Sequence, residues 1–125
     1  MERADCCNPD FRQGDHGPAY LLRGPRSDIG IVQLRPGDDV TNHYHANVEE
    51  SFIVVEGKGT VWVDCKDQYE IAVGDVYQSP PGEMHYFVNS SDANFRMFFI
   101  KAPYDPTDTV PVPWVPGEPV PTPRN

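Results

Sequence analysis

Between Tyr20 and Ala102 no stretch of this chain keeps the three-to-four spacing of an amphipathic helix, and Gly, Pro, Asn or Asp breaks each apolar run within a few residues. Only short strands joined by tight turns satisfy such a pattern, so the chain is expected to be all-β. The strands read as 19–23, 28–35, 39–45, 50–56, 59–65, 69–73, 76–79, 84–90 and 94–101, and their close, even spacing suits a sandwich or barrel. Val61-Trp62-Val63 and Phe95 through Ile100 are largely apolar on both faces, as expected where one face lines an interior and the other packs on neighbouring sheet. Glu56-Gly57-Lys58-Gly59 and Lys66-Asp67-Gln68 read as tight turns.

A chain of 125 residues is sized for one domain with one core. It divides into a polar lead-in, 1–18, a β domain, 19–102, and a tail, 103–125, in which eight of 23 residues are Pro. Proline cannot donate to a ladder, so the tail is excluded from a helix or a central strand. It is either a solvated polyproline-like extension or a segment laid on a neighbouring surface, anchored by Val112, Trp114 and Val115.

Charge narrows the partners. Ten Lys and Arg stand against 19 Asp and Glu, a net −9, with no basic block, so a nucleic-acid backbone or an anionic membrane is repelled and small molecules are the expected partners. The first twenty residues are polar throughout, so neither a signal peptide nor a transmembrane span is expected, and a cytoplasmic location is the default. Cys6, Cys7 and Cys65 are odd in number and lack C-x-x-C spacing, which argues against a disulfide framework and a thiolate zinc site.

Chemistry concentrates in four residues. His43 and His45 are two apart, so on a strand they leave the same face, close enough to share one ion. The chain then turns and returns with Glu50, while His85 comes from another strand, entered through Ser79-Pro80-Pro81-Gly82. Three imidazoles and one carboxylate, without sulfur, suit a divalent first-row transition metal such as iron, manganese, nickel or zinc. An octahedral ion would keep two positions for water, oxygen or substrate. Pocket walls are expected from Phe52, Val54, Phe87, Met97 and Phe99, with Tyr20, Arg23, Gln33, Arg35, Gln78 and Arg96 supplying polarity. Gln33, Asn42, Asn89 or backbone carbonyls would hold the outer imidazole nitrogens.

These residues sit in two spaced patterns, Gly37-x5-His43-x-His45-x4-Glu50-x6-Gly57 and Gly74-x5-Pro80-x-Gly82-x2-His85-x3-Asn89, 16 residues apart. Both match the paired motifs of the cupin superfamily at every interval, and the chain resembles a small single-domain cupin. The resemblance implies a double-stranded β-helix, or jelly-roll, barrel with His43, His45, Glu50 and His85 pointing inward as metal ligands. Glu49 competes with Glu50, but only Glu50 leaves six residues before Gly57. Similar cupins are metal-dependent enzymes of small oxygen-rich metabolites. The aromatic, Met-containing interior leans the expectation to dioxygenase chemistry. Isomerase, lyase or decarboxylase chemistry on a sugar acid, with Glu50 or an inward Tyr as base, is the alternative, and a metal-containing binding module without turnover is the rival class. Similar cupins also pair through sheets or exchanged terminal strands, so a homodimer using the lead-in as a contact arm is expected.

Overall fold

Strands form where apolar residues alternate with polar ones, because every second side chain then reaches one shared interior. The computed structural model describes residues 1–121; residues 122–125, the end of the Pro-rich tail, lie outside the described residues. The strands are β1 (Gly17–Arg23), β2 (Asp28–Leu34), β3 (Asp39–His45), β4 (Glu49–Glu56), β5 (Lys58–Val63), β6 (Asp67–Ala72), β7 (Val76–Ser79), β8 (His85–Val88), β9 (Phe95–Ala102) and β10 (Thr109–Pro111). No helix occurs among the described residues, and so none long and apolar enough to cross a membrane.

Two five-stranded sheets result, one in the order β1-β2-β9-β4-β7 and the other β10-β3-β8-β5-β6, with every pairing antiparallel. Consecutive strands repeatedly change sheet, which gives the expected jelly roll. Val32, Leu34, Phe52, Val54, Phe95, Met97 and Phe99 of the first sheet pack on Val61, Ile71 and Phe87 of the second. Each large side chain buried there is worth about 1.5–3 kcal/mol of transfer free energy. Gly30 matters to this layer by what it lacks: a Cβ on it would run into the ring of Phe99, its cross-strand partner.

Two sequence expectations need correcting. The turn after β5 is Asp64-Cys65-Lys66, its first two residues left-handed at φ 53° and 57°, so of the expected Lys66-Asp67-Gln68 only Lys66 lies in it and the other two open β6. Apolar run length alone extends β5 through Cys65, but that thiol turns back and is buried beside Tyr86 and Trp114. The second correction is an added strand. Thr109, Val110 and Pro111 pair with His45, Tyr44 and His43, so part of the Pro-rich tail is an edge strand of the second sheet. Pro111 is tolerated because an edge strand can face its missing N–H away from the ladder.

The tail is also held by apolar contact. Trp114 is 6% exposed, its ring centroid 5.8 Å from that of Trp62 and 6.1 Å from that of Tyr86. Its indole N–H donates to the Glu118 carbonyl at 3.1 Å, and the Asn42 amide donates to the Val112 carbonyl at 2.9 Å. Val115, an expected anchor, is instead 45% exposed. Trp114→Ala should cost about 3 kcal/mol in urea unfolding, the usual scale for removing a buried aromatic. Limited proteolysis near Pro111 should speed up in that variant; unchanged cleavage would mean that the indole does not hold the tail.

Candidate metal centre

β3 sets His43 and His45 on one face, and antiparallel register places His43 directly across from His85 on β8. The chain then crosses to the opposite sheet, where β4 turns Glu50 inward and leaves Glu49 exposed. Gly82, at φ 87°, lets the turn before β8 fold back so that its N–H donates to the His45 carbonyl at 2.8 Å. At the other end the Gly37 N–H donates to the Asn89 carbonyl at 2.8 Å, so the two motifs are joined by backbone hydrogen bonds at both ends. Asn89 is fully buried, and its amide donates to the Leu34 and Ala93 carbonyls, a turn-holding role away from the imidazoles.

The four side chains converge. One candidate ligand atom from each of His43, His45, Glu50 and His85 lies within 4.8 Å of the others. His43 Nε2 is 3.1 Å from His85 Nε2, and Glu50 Oε1 is 3.0 Å from His45 Nε2 and 3.2 Å from His85 Nε2. Adjacent ligands on an ion with bonds of about 2.1 Å stand about 3 Å apart when they meet at right angles, so this spacing fits one first-row ion.

Outer contacts fix the ring orientations. His43 Nδ1 donates to the Thr41 carbonyl at 2.7 Å, and His45 Nδ1 donates to Asp108 Oδ1 at 3.1 Å. Ser79 Oγ donates to Glu83 at 3.2 Å, which leaves a lone pair for the His85 Nδ1 proton at 3.3 Å. Acceptors on all three outer nitrogens select the tautomer whose Nε2 carries a lone pair toward the centre. The quartet is therefore four electron-pair donors with no hydrogen of their own to share. Such a set needs a cation between its members.

Titration follows from that arrangement. Burial, aided by neighbouring His85, pushes His43 down to about 4 from its ordinary 6.5. Burial also works against a charged His45, but bonds to Glu50 and Asp108 outweigh it and raise the imidazole above its usual value. Burial penalises ionised Glu50 and Asp108 too, yet their neighbours win in both. The adjacent His45 and His85 imidazoles hold the Glu50 carboxyl well below the usual range, and the Val48 and Asn47 N–H groups with His45 lower Asp108.

Asp108 and Thr109 were not anticipated, because the tail was read only for apolar anchors, Val112, Trp114 and Val115. Thr107-Asp108-Thr109-Val110, the one four-residue stretch between Pro106 and Pro111, was the available signal. Asp108 accepts from His45 and from the backbone N–H groups of Asn47 and Val48, at 3.1 and 2.9 Å, and so ties the tail to the β3–β4 turn.

The centre opens into a cavity of about 260 Å³, walled by Tyr20, Val32, Val40, Phe52, Phe87, Met97 and Phe99, with Arg12, Thr41, Lys101 and Thr109 as further polar lining. Five expected polar residues are not there. Arg23 turns to Asp28, Arg96 reaches Gln33 across the outer face, and Arg35 is bound to Asp38 at the β2–β3 turn. Gln78 donates to Ser51 and lines, with Tyr69 and Tyr77, an adjoining cavity of about 280 Å³ that shares Phe52, His85 and Phe87 with the first. Strand parity explains these outcomes: Val32, Glu50, Met97 and Phe99 face inward, so Gln33, Ser51 and Arg96 must face outward. The same parity turns Lys101 inward. Asn42 and Gln33, expected beside the imidazoles, bond elsewhere, and Thr41, Ser79 and Asp108 take that role.

A family model described as "Cupin domain" matches residues 30–101. Among curated relatives, polyketide synthase CurC of Streptomyces cyaneus is 32% identical over 78 residues, 62% of this chain and 50% of that protein. Tetracenomycin polyketide synthase protein TcmJ of Streptomyces glaucescens is 27% identical over 115 residues, covering 84% of this chain and 76% of that one. The chain thus spans half the length of the first relative. Among solved structures, a double-stranded β-helix protein of Klebsiella pneumoniae superposes with a TM-score of 0.68 at 21% identity, over 74% of this chain and 83% of that one, a likeness of fold.

Two outcomes test the centre. Asp108→Asn should weaken zinc or nickel binding about 10- to 100-fold in a competitive chelator titration while the β-sheet circular dichroism persists, as loss of an outer partner does elsewhere. Metal-free protein should lose stability as pH falls from about 6.5 through about 4. In that window the unfolded chain protonates His43 before the folded one does, so the stabilisation is complete above the window and gone below it. Thermal unfolding of chelator-treated His43→Gln should show a shallower fall over the same range; an identical profile would remove His43 as its source.

Proposed function

The chain belongs to the cupin domain family, and we propose that it is a metal-dependent enzyme acting on a small, oxygen-rich ligand that chelates one ion held by His43, His45, Glu50 and His85. The observation that carries this reading is the convergence of four lone-pair groups, each imidazole locked in the ligand tautomer, at the base of a cavity with room for a small molecule. A divalent ion there supplies Lewis-acid stabilisation of oxyanion charge.

The chain's own residues do the rest. Phe52, Phe87, Met97 and Phe99 wall the cavity with apolar surface that displaces water and strengthens electrostatics at its base. Glu50 is the candidate base by position, since Oε1 is committed to His45 and His85 and no hydrogen bond among the described residues takes Oε2, and the same neighbours that lower its pKa make it a weak one that needs an acidified ligand proton. Likeness to two proteins named for polyketide synthases supports a poly-carbonyl ligand, since alternating carbonyls form a β-dicarbonyl chelator with an acidic carbon between them. Non-oxidative enol or enolate chemistry is therefore the leading reading. Dioxygenation is the second, favoured by the aromatic and thioether wall beside the centre.

Metal analysis of anaerobically purified protein should give about one equivalent of a first-row transition metal. His85→Ala should lose that metal and its turnover while keeping the fold. Oxygen uptake should stay at background when the protein is mixed with a β-dicarbonyl; ligand-dependent uptake with bound iron would select the dioxygenase reading. Absence of bound metal, with no binding on titration, would overturn both.

A further inference from the structure

A cation stands beside the acceptor cluster. Lys101 is the cross-strand neighbour of Glu50 in the β4–β9 register, near enough for its charge to favour ionised Glu50, and lines the same cavity, yet it makes no ion pair with any carboxylate among the described residues. Its ammonium instead donates to the Tyr20 hydroxyl oxygen at 2.7 Å. It lies 5.1 Å from the Tyr20 ring centroid and 5.4 Å from that of Phe99, both within cation–π range. Tyr20 is itself fixed, edge-on to Phe99 at 5.3 Å and with the Arg23 guanidinium 3.9 Å from its ring centroid.

Counting hydrogens identifies what this pair can bind. An ammonium has three donors and one is spent on Tyr20, so two are unspent. Tyr20 uses its oxygen as acceptor in that bond, so its own O–H proton is unspent too. Three donors carrying one positive charge therefore meet at a point on the cavity wall, while the base of the cavity offers only acceptors. Arg12 adds a second cation to the lining, without an ion pair among the described residues. In a chain of net charge −9 this local reversal of sign is a selective feature, because the rest of the surface repels anions.

We infer that Lys101 and Tyr20 form a carboxylate-binding subsite, so that the ligand is a keto or hydroxy acid whose chelating oxygens go to the metal centre and whose carboxylate is bound by this pair. The inference rests on the metal-cavity reading for the chelating end only; the carboxylate end depends on residues that hold no metal. Lys101 is thereby a specificity-determining residue, and Tyr20 fixes the position of its ammonium.

A matched pair of probes separates the two ends. 4,6-Dioxoheptanoate and heptane-2,4-dione share the β-dicarbonyl, and only the first carries a carboxylate. Isothermal titration of nickel-loaded protein should give at least tenfold tighter binding of the acid, about the value of one charge-assisted contact. Lys101→Met should bring the ratio of the two dissociation constants near one with nickel content unchanged, and Lys101→Arg should keep a ratio well above one. A ratio near one in the unsubstituted protein, or one preserved in Lys101→Met, overturns the inference. The same ratio measured on chelator-treated protein keeps the test independent of the metal. Failure to load nickel with the ratio intact would count against the function proposed above and leave the subsite standing.

Discussion

Three imidazole lone pairs and a carboxylate brought within 4.8 Å of one another repel unless a cation lies between them, and much of this structure exists to hold them there. Glu50 comes from one sheet and the three histidines from the other, so the centre spans the interior that both sheets enclose. Backbone bonds from Gly82 to His45 and from Gly37 to Asn89 fix the segments that present them. Outer acceptors on Thr41, Asp108 and Ser79 decide which nitrogen of each ring faces inward. Removing any one of these would leave a ring able to rotate or change tautomer, and the acceptor set would no longer be complete.

The Pro-rich tail is part of that support. Asp108 satisfies two backbone donors of the turn that separates His45 from Glu50, and the same carboxylate orients His45. β10 then covers the edge of β3, the strand carrying two of the four ligands, and Trp114 secures the continuation against Trp62 and Tyr86. A segment unable to fill a central strand is suited to this edge, since proline limits further pairing there. Stability of the tail and geometry of the centre are thus linked through one short stretch, Asp108 to Pro111.

Polarity along the cavity adds direction. Acceptors gather at the centre and the unspent donors of Lys101 and Tyr20 stand beside it, Lys101 being the cross-strand neighbour of Glu50. A ligand with chelating oxygens at one end and an anionic group at the other would be oriented by charge before any shape matching. The apolar wall strengthens both ends, because electrostatic interactions there are less screened than in water.

Much of this was legible in the sequence. Glycine and proline punctuation gave nine strands close to their observed limits, and the spacing of His43, His45, Glu50 and His85 singled out the residues that meet. Those are local properties, set by side-chain alternation and by turns that need particular residues. Strand parity was also present, and applying it along β9 would have rejected Arg96 and chosen Lys101 once Met97 and Phe99 faced inward. Asp108 was different: the proline-free stretch around it could mark a short strand, but nothing local names its partner, a histidine 63 residues earlier. That pairing, like the Lys101–Tyr20 bond across 81 residues, depends on which strands become neighbours. The sequence by itself determined nine of the ten strands and the four candidate ligands, because these follow from local alternation and motif spacing. Only the tertiary structure decided the outer partners and the donor pole, because these are contacts between segments that share no spacing.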